Sequence, residues 1–188
     1  MKNMLIVSDL DGTLLNGKQE VSRENKQAIE RFVQNGGRFT IATGRMERSV
    51  QPFIDSLSID IPVILYNGAK VYCPKSKKVI VEKSLTGYKQ FAKELMESRL
   101  NNDLGFLLYH AGEVYTHNRN EIIRKHEVKD GVICKSIADN ILDFPVTKIL
   151  LISPSEEVLT QCEEKVLESN LPCEMVYSEK NYLEILPM

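Results

Sequence analysis

Between residues 4 and 68 short apolar runs alternate with stretches of helical period, and that alternation leaves few architectures open. MLIVSD reads as a short buried strand. In SRENKQAIERFVQNGG, Ser22 is placed to cap a helix, Ala28, Ile29, Phe32 and Val33 form its apolar stripe, and Gly36 and Gly37 stop it. RFTIAT is a second apolar run. Residues 45–57 carry Met46, Val50, Phe53, Ile54 and Leu57 on one helical face, and PVILYNG is a third run. Strand, helix, strand, helix, strand with apolar strands predicts a parallel sheet covered by helices.

After residue 68 the rhythm changes. AKVYC and KVIVEK flank the polar turn PKSK as a hairpin, and GFLLYH and EVYTHN flank Ala111 and Gly112 as another. Helical patterns cover residues 88–100, 119–129 and 155–169. VTKILLIS, CEMVYS and YLEIL read as strands. This is an α+β pattern distinct from the first, and the boundary falls near residues 82–85.

Composition narrows the partners. The chain has 188 residues, long enough for a real core, and its 24 Lys and Arg nearly balance its 26 Asp and Glu. With a net charge of −2 and no basic stripe, nucleic acid and anionic membranes are poor partners. No apolar run approaches the roughly 20 residues of a membrane span, and the N-terminal run is too short for a signal peptide. Cys73, Cys134, Cys162 and Cys173 lack metal-ligand spacing and mostly sit in apolar patterns. They read as reduced, packed thiols in a cytoplasmic protein.

In an open parallel sheet, ligands bind beyond the carboxyl ends of the strands. All three predicted ends carry small polar residues: Asp9-Leu10-Asp11-Gly12-Thr13, then Thr43-Gly44-Arg45, then Asn67-Gly68. Asp9 and Asp11 repel each other unless a cation or a proton intervenes. Mg²⁺ suits one or two carboxylates plus phosphate oxygens and waters. A shielded Asp9 could attack phosphorus, and Asp11 could exchange a proton with the leaving alcohol and then with water. Thr43 and the amides opening the second helix could hold phosphoryl oxygens, Gly44 could admit backbone to the phosphate, and Arg45 offers a charged fork. Each motif alone has a plainer reading. D-x-D-G is also a common turn, Thr-Gly often ends a strand, and Asn-Gly is most often a turn. Their predicted convergence carries the argument.

VSDLDGTLL resembles the first motif of the haloacid dehalogenase (HAD) superfamily of phosphatases. ATGR at residues 42–45 and YNGA at 66–69 resemble the next motifs of its Cof-type subfamily, in matching order. The resemblance implies a Rossmann-like parallel-sheet core with an inserted α+β cap domain (C2-type), split as residues 1–83 for the N-terminal part of the core and 84–188 for the cap. It implies an Mg²⁺-dependent phosphatase acting on a small phosphomonoester, a sugar phosphate or phosphorylated cofactor, through an aspartyl-phosphate. By resemblance Asp9 is nucleophile and metal ligand. Asp11 is general acid/base and binds metal through its backbone carbonyl. Leu10, Thr43 and Gly44 hold the phosphoryl group, Arg45 and Asn67 face the substrate, Thr13 braces the loop, and Leu14 begins a flap.

The family pattern continues with a lysine opening a helix and a G-D-x-x-x-D strand end. Asp139 and Asp143 have only the spacing, and Lys148 lies inside a strand. The expectation is therefore a truncated, incomplete core with weak or no turnover and a tendency to self-associate through an uncovered sheet flank. The alternative is a non-catalytic phosphate-binding or regulatory fragment. A phosphate-accepting receiver ranks lower, because Asn67 stands where its acceptor aspartate would be. His110, His117 and His126 read as solvated or packed rather than as ligands, Lys75, Lys77 and Lys78 as a solvated turn, and Tyr109 and Tyr115 as cross-strand packing.

Overall fold

The computed structural model describes residues 4–188, which divide into two compact units, the first ending at Glu82 and the second spanning Lys83–Met188. In the first, β1 (Leu5–Ser8) pairs in parallel with β2 (Arg38–Ile41), Leu5 opposite Arg38 and Ser8 opposite Ile41. β3 (Val63–Leu65) joins at the end of β2 through one parallel bridge, Ala42 to Ile64. The three strands thus run the same way, as their apolar runs predict. β3 continues antiparallel into β4 (Lys70–Cys73), which forms the expected hairpin with β5 (Lys78–Glu82).

Helix α1 (Arg23–Gln34) starts where the sequence places it, with the Ser22 hydroxyl accepting from the Asn25 amide at 3.1 Å. Helix α2 (Glu47–Ser56) begins two residues later than residue 45, so Arg45 belongs to the preceding loop. Val50 and Ile54 of α2 are buried along with Phe39 and Ile41 of β2.

One expectation fails. β1 is not a buried strand: Leu5 is 56% exposed, Ile6 42% and Val7 46%. Among the described residues its only strand partner is β2, and no residue of α1 is fully buried, so a strand with interior composition lies at an open edge. A recess of about 480 Å³ beside it is lined by Leu5, Val7, Thr40, Pro62, Ile64 and Val71, among others.

The second unit is a six-stranded sheet ordered β10-β11-β9-β6-β7-β8. Its strands are β6 (Gly105–His110), β7 (Glu113–Thr116), β8 (Cys134–Ser136), β9 (Lys148–Ile152), β10 (Cys173–Glu179) and β11 (Tyr182–Pro187). All neighbours are antiparallel except β7 and β8. Helices α3 (Lys89–Glu97) and α5 (Glu156–Glu168) pack Phe91, Leu95, Leu159 and Cys162 onto one face, against Phe106, Leu108, Ile149, Leu151, Leu183 and Ile185. These strand residues alternate along their chains, as strand geometry requires. Helix α4 (Glu121–Asp130) covers the other face, where Ile123 approaches Gly105 and His126 meets Tyr109 and Tyr182. No helix among the described residues is long and apolar enough to cross a membrane.

Candidate active site

The residues that the sequence singles out at the strand ends all belong to the first unit. At the end of β1 the chain leaves Asp9 extended and folds Leu10–Leu14 into a tight turn, closed by the Leu15 amide donating to the Leu10 carbonyl at 2.9 Å. The turn sorts its residues by polarity. Leu10 and Leu14 are buried, while Asp9, Asp11, Gly12 and Thr13 stay exposed. Gly12 supplies the left-handed backbone the reversal needs, at φ 73°. Thr13 directs its hydroxyl at Asp9, 3.5 Å from Oδ2.

The second and third loops are laced together by backbone. The Ala42 amide donates to the Ser8 carbonyl at 2.9 Å, and the Thr43 amide to Ile64 at 3.0 Å. The Tyr66 amide then donates back to Arg45 at 3.2 Å and the Asn67 amide to Thr43 at 3.1 Å. Tyr66 and Asn67 accept left-handed φ angles of 50° and 53° to make these bonds. Such conformations cost about 1–3 kcal/mol each in non-glycine residues and persist where surrounding contacts enforce them. Thr43 is buried, and its hydroxyl accepts from the Arg45 amide at 3.2 Å. Asn67 lies so close over Gly44 that a Cβ there would meet its Oδ1 at 2.6 Å.

Arg45 joins this pair of loops to the first. Its Nε donates to Asp11 Oδ2 at 2.9 Å and its Nη2 to Asp11 Oδ1 at 2.7 Å, a two-point pairing suited to the planar guanidinium. Nη2 also donates to Gln19 Oε1 at 2.6 Å, and the guanidinium lies 5.5 Å from the Phe53 ring centre. The structure therefore brings Asp11, Thr43, Gly44, Arg45 and Asn67 into one constellation, with Asp9 and Leu10 beside Asp11 on its turn. Arg45 forms a salt bridge with Asp11.

Sequence reasoning missed the neighbouring charge network. Lys70, buried at the start of β4, pairs with Glu47 at 2.5 Å and with Glu82 at 3.1 Å. The Tyr66 hydroxyl donates to Glu47 at 2.7 Å. Burial alone would lower the Lys70 pKa, but the hydrogen bonds and charges of Glu47 and Glu82 outweigh it and raise it. Burial, reinforced by Glu47, pushes the Tyr66 phenol far above its ordinary value. The network ties the first residue of α2 to the segment after β3, behind the loops that carry Thr43 and Asn67. The available signal was a lysine at an inward-facing position of an apolar strand, AKVYC.

The other candidates lie elsewhere. Lys148 is buried on β9 and paired with Glu184 at 2.9 Å. The stretch Asp139–Asp143 is a short 3-10 turn, and Asp143 pairs with Lys89. His126 is buried between Tyr109 and Tyr182, His110 bonds the Pro145 carbonyl at 2.7 Å, and His117 is exposed. Lys75, Lys77 and Lys78 are exposed, with Lys75 near Asp60 at 3.3 Å. Tyr109 faces α4, whereas Tyr115 packs on the opposite core. All four cysteines are free thiols.

Among the described residues no three His, Cys, Asp or Glu side chains cluster as a ready-made metal site. The first turn nevertheless offers hard oxygen donors of the kind Mg²⁺ takes: the Asp9 carboxylate and, with its side chain turned to Arg45, the backbone carbonyl of Asp11. That set of donors fits a magnesium ion.

A parallel strand ending in two acids, with a buried threonine and a laced Asn-Gly loop beside it, defines an α/β fold with a polar site at its strand ends. The haloacid dehalogenase-like hydrolase family matches residues 6–188, and the chain belongs to that family. It is similar to the 5-amino-6-(5-phospho-D-ribitylamino)uracil phosphatase YwtE of Bacillus subtilis, 36% identical over 114 residues, which are 59% of this chain and 35% of that protein. It is also similar to the pyridoxal phosphate phosphatase YbhA of Escherichia coli, 31% identical over 125 residues, 66% of this chain and 45% of that one. The chain thus spans less than half the length of either relative. A haloacid dehalogenase-like hydrolase from Bacteroides thetaiotaomicron superimposes with a TM-score of 0.83 at 27% identity, over 100% of this chain and 72% of that structure.

Proposed function

We propose that this chain carries the nucleophile and phosphate-binding loops of a magnesium-dependent phosphatase for a small phosphomonoester, a sugar phosphate or a phosphorylated cofactor. The observation that carries the reading is the backbone lacing of three strand ends, which brings Asp11, Thr43, Arg45 and Asn67 together beside Asp9. The phosphatase names of the relatives agree with it.

In this reading a carboxylate oxygen of Asp9 attacks phosphorus, the ester P–O bond breaks, and an aspartyl-phosphate forms. Asp11 gives a proton to the departing alcohol oxygen, then takes one from the water that attacks phosphorus in the second step. That step releases inorganic phosphate and restores Asp9. The Thr43 hydroxyl and the backbone of Leu10 and Gly44 hold the phosphoryl oxygens, and Asn67 faces the substrate from the third loop. Asp9 and the Asp11 carbonyl would hold Mg²⁺, which supplies charge neutralisation between the nucleophile and the phosphate.

The test is hydrolysis of p-nitrophenyl phosphate with and without Mg²⁺, together with binding of beryllofluoride, which mimics the phosphoryl group on Asp9. The expected result is slow Mg²⁺-dependent turnover and beryllofluoride binding, both lost in Asp9→Asn. Binding without turnover favours a non-catalytic phosphate-binding module instead. Hydrolysis and binding that survive Asp9→Asn overturn both readings.

A further inference from the structure

Gln19 has no counterpart among the residues that the strand-end motifs single out, yet it closes the guanidinium of Arg45 on the side Asp11 leaves open. We propose that Gln19 is a positioning residue for the acid/base step: it fixes Arg45, and through Arg45 it fixes the Asp11 carboxylate. The inference rests on the reading of Asp11 as general acid/base.

A guanidinium directs five N–H groups in a rigid plane. Here the Nε–H and one Nη2–H are given to the two oxygens of Asp11, at 2.9 and 2.7 Å. The other Nη2–H is given to Gln19 Oε1 at 2.6 Å. With both edges of Nη2 engaged and Phe53 near its face, Arg45 cannot turn about its last bonds without breaking one of the three. Remove Gln19 and Nη2 loses this second tether, while its bond to Asp11 runs to the group that must shift during proton transfer.

The chain also enforces the position of Gln19. The Asn16 amide donates to the Glu20 carbonyl at 2.9 Å, and the Gln19 amide to Asn16 at 2.9 Å. The Asn16 side-chain oxygen accepts from the amides of Lys18 at 2.8 Å and Glu20 at 3.1 Å. A bridge between Leu15 and Val21 closes the base. Within this turn Gln19 takes a left-handed φ of 60°, unfavourable for a residue with a long side chain. A turn free to choose its φ > 0 residue favours Gly or Asn. Gln19 occupies the position that the Arg45 bond uses.

A positioning role predicts a loss that depends on the leaving group. p-Nitrophenolate departs with little need of a proton, whereas an alkoxide needs one. Gln19→Ala, which keeps a β-carbon at the same φ, is expected to lower kcat on an alkyl phosphate such as glycerol phosphate about tenfold more than on p-nitrophenyl phosphate, while KM changes less than twofold. Gln19→Glu keeps the acceptor oxygen and is expected to recover most of that ratio.

The second readout needs no turnover: the Arg45 Nε–H resonance in ¹⁵N-labelled protein. Gln19→Ala is expected to shift it and speed its solvent exchange at least tenfold, and Gln19→Glu to restore it. An unchanged Arg45 resonance in Gln19→Ala overturns the inference whether or not the protein hydrolyses anything. So does an equal loss on both substrates. A wild-type protein without Asp9-dependent hydrolysis removes the phosphatase reading and with it the catalytic role of Gln19, while the resonance still decides whether Gln19 fixes Arg45.

Discussion

Asn67 holds its side-chain oxygen 2.6 Å from the point where a β-carbon on Gly44 would sit. Two loops from different strand ends thus meet at a glycine, where a β-carbon would force the Asn67 side chain to move. Gly44 has no left-handed φ, so the requirement is close approach rather than backbone freedom. Gly44→Ala is expected to displace Asn67 and cost about 1–3 kcal/mol of stability, the usual price of overpacking. Thermal unfolding of Gly44→Ala, Asn67→Gly and the double variant checks this. The double variant should recover most of the loss, and strictly additive effects would show that the two residues do not meet.

Lys70 sits between Glu47 and Glu82, whose side chains are 23% and 32% exposed. Replacing it by methionine leaves two carboxylates together without their cation. The expected loss is about 1–3 kcal/mol, below the ~3–5 kcal/mol of a fully buried broken pair because water reaches both acids. The pKa of Lys70 is raised in the folded state, so its contribution is complete below the unfolded value near ~10.4 and is lost as pH rises through the folded value. Denaturation midpoints above that pH should fall more steeply for the wild type than for Lys70→Met; parallel curves count against the network.

His126 titrates the other way. Burial lowers its pKa, as do Lys148 and Lys129, against the opposing charges of Asp130 and Glu184. The Tyr109 and Tyr182 hydroxyls face its two ring nitrogens. A depressed folded value means the unfolded chain binds the proton first, so stability falls as pH drops below about 6.5 and levels off below the folded pKa. His126→Gln is expected to flatten the change in Tm between pH 7.5 and 5.5. A wild type equally stable at both values contradicts the buried, neutral imidazole.

Leu5, Ile6 and Val7 are exposed on a strand with one hydrogen-bonded neighbour among the described residues. An apolar strand edge of this kind templates pairing with another chain, and lysine at such an edge opposes it. Sedimentation velocity over a range of concentrations is expected to show self-association that Leu5→Lys weakens at least severalfold. A monomer at every concentration would rule out association through β1.

Much of the fold was legible because its signals are local. The Ser22 cap, the stripe of α2 and the Ala111-Gly112 turn are each encoded within a few residues, and each appears in the structure. The sequence led to the expectation of an uncovered sheet flank, but that β1 is the strand left there was not legible. An apolar run states what a strand can bury against, and says nothing of whether a neighbour is present. The three-residue β8 (Cys134–Ser136) was also missed, being too short to show a period.

The site divides along the same line. Asp9, Asp11, Thr43, Gly44, Arg45 and Asn67 are readable from the sequence because each stands at the end of an apolar run, where a parallel sheet presents its loops. That Arg45 grips Asp11, that Gln19 closes the grip, and that Lys70 joins Glu47 to Glu82 were decided only by tertiary structure. These pairings span up to 34 residues along the chain. A side chain's charge is written in the sequence, but its partner is chosen by which loops the folded sheet brings within about 3 Å.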